Sequence, residues 1–85
     1  MNFRVSIHAE QELQKRRIPR EVAEAVVRNP QQKVPETTRV MCYQSRVEID
    51  GKTYLLRVMV NEAVDPALVI TVYRTSKISK CWSQP

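Results

Sequence analysis

The sequence predicts an α+β domain in which an N-terminal helix hairpin packs on one face of a three- to four-stranded, mostly antiparallel sheet. Two observations predict it: apolar residues fall at helical spacing up to Asn29-Pro30, and from Lys33 onward that spacing gives way to runs rich in β-branched residues. A third, Asp50-Gly51 between two such runs, is the signal of a two-residue hairpin turn.

The first helix is expected over about residues 6 to 17. Ser6 suits its N-cap, with a hydroxyl that accepts from a backbone N–H two or three residues on, and Glu10 and Glu12 favour the positive end of the helix dipole. Its apolar content is only Ile7, Ala9 and Leu13, so docking of the Ala9/Leu13 stripe has to hold it. Pro19 fits the first turn of a second helix, whose stripe is Val22, Ala23, Val26 and Val27. Strands are expected near residues 39–49, 53–61 and 68–74. Alternation assigns Leu68, Ile70 and Val72 to the core side of the last strand, with Leu56 and Val58 on the core side of the strand before. Arg57, Thr71 and Tyr73 then share the opposite face, which is expected to be open.

With 85 residues there is room for one domain, spanning residues 1–85, and for a core too small to enclose a large ligand cavity. Fourteen Lys and Arg against nine Asp and Glu give a net charge of +5 and favour a polyanionic partner. Residues 13–20 carry Lys15, Arg16, Arg17 and Arg20 without an acid; residues 66–85 carry Arg74, Lys77 and Lys80 without one. No apolar run reaches the roughly 18 to 20 residues of a membrane span and no apolar signal core opens the chain, so a cytoplasmic protein without membrane association is expected. Cys42, Cys81 and one histidine are too few for a thiolate metal cluster, and the single glycine rules out a glycine-rich phosphate loop; no metal or other cofactor is expected.

Metal-free RNA cleavage needs a base for the 2′-hydroxyl, an acid for the leaving oxygen and cations for the growing phosphorane charge. Candidates are His8, Arg16 on the same helix face, Arg57 and Tyr73 on the proposed open face, then Lys77, Lys80 and Trp82. The plainer reading of each is structural. Glu12 and Arg16 have the i,i+4 spacing of a helical ion pair, Cys42 that of a small buried residue, and Trp82 can pin the chain end as well as stack a base.

"SIHAEQELQKRRIPREVAEAVVRNP" and "VITVYRTSKISKCW" resemble the two ends of a small prokaryotic family of unknown function allied to the RelE and BrnT toxin superfamily. That family's pattern runs Ser-x-His-Ala, an Arg four residues after the His, an Arg before an Ile, a second helix ending in Asn-Pro, and a closing Val-x-Thr-Val-Tyr strand with a Lys-rich, aromatic end. His8 and Ala9 match the His-Ala, Arg16 the second Arg, Asn29-Pro30 the helix end, and Thr71, Val72, Tyr73 and Lys77 the closing strand. Glu12 stands in place of the first Arg, Pro19 in place of a capping Ser, and Cys81 where an aromatic is common.

The resemblance implies a RelE-like fold and cleavage of messenger RNA, free or ribosome-bound, without a metal, with an antitoxin protein as partner. Residue chemistry and resemblance together make His8, Tyr73 and Lys77 the catalytic candidates and Arg16 an RNA-binding one; Arg57, Arg74, Lys80 and Trp82 join the RNA-binding set from the reading of the residues alone. The alternative is a non-catalytic module of the same fold that binds nucleic acid or an acidic protein segment. Glu12, which repels phosphate where the family's Arg would hold it, favours that alternative. The oligomeric state is left open.

Overall fold

The computed structural model describes residues 2–84. Along the chain come β1 (Phe3–Val5), α1 (Ile7–Lys15), α2 (Arg20–Arg28), β2 (Gln32–Pro35), β3 (Val40–Ile49), β4 (Lys52–Asn61), β5 (Ala67–Thr75) and α3 (Ile78–Cys81). The strands form one sheet in the order β1-β5-β4-β3-β2, with β1 parallel to β5 and every other pair antiparallel. The α+β class agrees with the sequence reading. The strand count does not, because the sheet has five strands and is mixed. The two unforeseen strands are its edges: β1 is three residues long, β2 four with Pro35 at its end, and neither is long enough for alternation to show.

Local chemistry sets the helix ends. Ser6 Oγ accepts from the Ala9 N–H at 3.0 Å, as its N-cap role requires. At the other end Arg17 takes a left-handed φ of 54°, Ile18 N–H donates to Leu13 O at 2.8 Å, and Arg17 N–H donates to Gln14 O at 3.2 Å. That is a Schellman ending, and its customary apolar contact is supplied by Leu13 and Ile18, both buried in the core. Pro19 is the N-cap of α2 rather than its first helical residue. The Asp50-Gly51 turn forms as expected, with φ of 52° and 79° at its two residues.

The core lies between the sheet and α1 with α2, and consists of Ala9, Leu13, Ile18, Ala23, Val26 and Val27 against Tyr43, Leu56, Val58, Val60, Ala67, Val69 and Val72. Leu56, Val58 and Val72 are on the helix side as the alternation predicts. Ile70 and Leu68 are not. Met59 pairs with Thr71 and Val60 with Val69, so Ile70 is an extra residue in β5, and this bulge brings Ala67 and Val69 to the core face instead. Beyond the bulge the predicted phase is restored, and Tyr73 lies opposite Arg57.

The bulge is tied to the first helix. Ser6 Oγ donates to Ile70 O at 3.0 Å, and the Ser6 N–H donates to Val69 O at 3.0 Å. One hydroxyl therefore caps α1 and satisfies the carbonyl that the bulge displaces. Ser6→Ala removes both bonds and is expected to lower stability by about 1 to 2 kcal/mol, with Ser6→Thr recovering most of it. Urea denaturation checks this, and a loss indistinguishable from zero would contradict it.

Candidate nucleic-acid interface

β2 to β5 lie side by side, so one residue from each can stand in a row across the sheet. The register pairs Gln32 with Gln44, Gln44 with Arg57 and Arg57 with Tyr73, and alternation turns all four away from α1 and α2. All three nitrogens of Arg57 are engaged. Nε donates to Gln44 Oε1 at 2.9 Å, Nη1 to the Tyr73 hydroxyl at 2.5 Å, and Nη2 to Glu36 Oε1 at 2.9 Å. Glu36 follows β2 in the same alternation as Gln32 and Val34, and its backbone N–H is fixed to Val40 O at 2.9 Å, so its carboxylate can lean across β3.

Arg57 is only 12% exposed at the side chain, and a cation at that depth requires partners. Burial works against its charge, but the hydrogen bond to Tyr73 and the attraction of Cys42, Tyr73 and Glu36 outweigh burial and hold its pKa above the ordinary arginine value. Beside it Cys42 is fully buried, with Sγ 3.8 Å from Gln44 Oε1. Burial pushes that thiol up against the pull of Arg57, as befits a packed residue.

The face expected to be open is partly roofed. The chain after β5 turns back over it through α3: Gln44 Nε2 donates to Cys81 O at 3.3 Å, Gln32 Nε2 to Ser83 O at 2.8 Å, and Ser83 N–H to Gln32 Oε1 at 3.0 Å. The Arg46 guanidinium sits 4.0 Å from the centre of the Trp82 ring. The physical reason is that this face is itself apolar near its middle. Cys42 and Leu55 share it with Gln44, and all three are fully buried.

Arg57 and Tyr73 are therefore brought together, while Lys77 and Lys80 are exposed on the tail that crosses their face. Trp82 is half-buried, and Arg46 occupies one face of its ring. The remaining candidates are elsewhere. His8 is exposed on α1, in the helix layer on the far side of the sheet from Tyr73. Arg16, on the same helix, is bonded to Glu12 at 2.7 Å, the expected i,i+4 pair, and this bond first, against some burial, holds the Glu12 carboxyl below the usual carboxylate range. Arg74 pairs with Leu56 and lies 4.5 Å from the Tyr54 ring, on the helix-side face.

Gln32, Glu36 and Gln44 are members of the site that sequence reasoning missed. A glutamine in the middle of the apolar run "VMCYQSRV" was the available signal, since a central strand buries a polar side chain only when something bonds it. Among the described residues no group of three His, Cys, Asp or Glu side chains is placed to hold a metal ion, and no helix is long and apolar enough to cross a membrane.

A second polar cluster lies on the helix-side face at the β2 edge. Lys33 Nζ is 3.1 Å from Glu62 Oε2 and 4.6 Å from the Tyr43 ring centre, and the Tyr43 hydroxyl donates to the same carboxylate. The Tyr43 bond, against some burial and with Lys33 assisting, holds Glu62 below the usual carboxylate range.

This geometry defines a class: a small α+β domain in which the sheet face opposite α1 and α2 carries a largely buried arginine, bonded at each of its three nitrogens, beside a tyrosine hydroxyl and an exposed basic tail. The family model described as Domain of unknown function (DUF4258) matches residues 5–74, and the chain belongs to that family. No match is found among curated proteins or among solved structures.

Two outcomes follow from the bonding. Because the folded pKa of Glu62 is depressed, its contribution to stability is complete above the unfolded carboxylate value of about 4.3 and is lost as pH falls through the folded one. Glu62→Gln should flatten that acid limb in melting curves, and an unchanged limb would contradict the assignment. Gln32→Ala removes both bonds to Ser83 and should speed tryptic cleavage at Lys77 and Lys80 at least about fivefold, two hydrogen bonds being worth roughly 1 to 3 kcal/mol. Equal rates for the two proteins would show that the tail is held by something else.

Proposed function

We propose that the chain is a toxin-like, metal-independent endoribonuclease of RelE-like architecture, normally neutralised by an antitoxin protein, with its working centre on the sheet face of Arg57 and Tyr73. The observation that carries this reading is the bond from Arg57 Nη1 to the Tyr73 oxygen, 2.5 Å long. Because that oxygen accepts from Arg57, the proton of the phenol is left to donate outward. A phosphodiester at this position meets a fixed cation for its non-bridging oxygens and a proton donor for its leaving 5′-oxygen. Lys77 and Lys80 add phosphate contacts that position the strand without reading its sequence.

In the reaction so drawn the 2′-hydroxyl attacks phosphorus and gives its proton to water, while the 5′-oxygen departs with the Tyr73 proton. A 2′,3′-cyclic phosphate is the product, and water reprotonates the phenolate. His8 takes no part at this pair.

A second reading, a non-catalytic binding module of the same fold, is favoured by one feature: the guanidinium groups of Arg16 and Arg57 already face carboxylates, those of Glu12 and Glu36.

End-labelled RNA incubated with the purified protein in EDTA separates the two. The nuclease reading expects cleavage with cyclic phosphate ends, a loss of about 10²- to 10⁴-fold in Tyr73→Phe, and a much smaller effect of His8→Ala. Salt-sensitive RNA binding without cleavage, alone or with ribosomes, would leave the binding module standing.

A further inference from the structure

Of the three partners of Arg57, two are neutral and belong to the sheet. Gln44 and Tyr73 stand directly beside it in register, and Gln44 is fully buried. The third is different in each respect. Glu36 is charged, its side chain is 35% exposed, and it stands at the start of the connection over residues 36–39, all four of which are exposed. Its carboxylate end reaches solvent, so this is the one bond of the three that can open to water without disturbing a strand. Its removal leaves a guanidinium with a free edge at Nη2, adjacent to the outward proton of Tyr73. A carboxylate and a phosphate present the same paired oxygens to such an edge.

We propose that Arg57 Nη2 and the Tyr73 hydroxyl form an anion site for an RNA phosphodiester, and that the Glu36 carboxylate is its built-in occupant, displaced when RNA binds. The site rests on the assignment of RNA as ligand made above but not on cleavage. It follows that Glu36 lowers RNA affinity in two ways, by occupying the guanidinium and by repelling the incoming phosphate. Thr37 Oγ1 accepts from the N–H groups of Arg39 and Val40, at 3.3 and 3.1 Å, so the hairpin keeps its shape when the carboxylate swings out.

The test compares Glu36→Gln with Glu21→Gln, which removes the same charge from α2 in the helix layer, by fluorescence anisotropy of a labelled 2′-O-methyl RNA octamer that cannot be cleaved. Glu36→Gln should bind about three- to fivefold more tightly than the unaltered protein, because the competing carboxylate is gone, and Glu21→Gln should show little gain. Arg57→Lys, checked for folding by circular dichroism, should erase the difference between Glu36 and Gln at position 36. Equal gains in the two charge variants, or no RNA binding by Glu36→Gln, would overturn the proposal. Tighter binding by Glu36→Gln in a protein that cleaves no RNA upholds the anion site and removes the nuclease reading alone.

Discussion

A cation near the middle of a sheet is the constraint from which the rest of this face follows. Arg57 sits on the central strand, with β5 on one side and β3 on the other, and burial raises the free energy of its charge unless its nitrogens find acceptors. Gln44 answers one and Tyr73 another because the register places them beside it. Gln44 in turn needs partners for its amide nitrogen, and it finds them in Gln32 Oε1 at 2.7 Å and Cys81 O at 3.3 Å. The position of the tail is thus set by a chain of hydrogen bonds that begins at the guanidinium. Among the described residues no buried side-chain nitrogen or oxygen is left without a partner.

The helix side is organised by a different local event. An extra residue in β5 turns Ala67 and Val69 toward the core, and Ser6 bonds the carbonyl that this exposes while capping α1. Without the bulge, Leu68 and Ile70 would lie under the helices and a strand in a single phase could still set Tyr73 beside Arg57. With it, the two ends of β5 serve two masters: small residues beneath the helix at one end, Tyr73 in the polar row at the other. The single hydroxyl that joins cap and bulge keeps the two halves of the fold in register.

Much of this was legible in the sequence and some was not, for identifiable reasons. Both long helices, the three long strands, the Asp50-Gly51 turn and the shared face of Arg57 and Tyr73 follow from spacing and turn chemistry alone. The bulge at Ile70 was not visible, because "ALVITVY" is apolar in either phase and only pairing with β4 reveals the extra residue. The edge strands were too short to show a period. The roof over the second face escaped for a related reason: α3 has four residues, and nothing in "SKISKCWS" states that Gln44 and Gln32 will bind its carbonyls. His8 and Tyr73 drew attention as residue types that do chemistry, yet residue type carries no information about which side of a sheet each will occupy.

The RNA contact proposed above lies on the face of Arg57 and not on the helix layer. Side-chain NMR of a ¹⁵N-labelled sample during titration with a non-cleavable RNA tests that placement most directly, by following the Arg57 Nε–H and the His8 ring together. The Arg57 signal is expected to shift progressively with added RNA while the His8 ring signals stay where they are. Movement of His8 with an unchanged Arg57 would contradict it and return the site to α1.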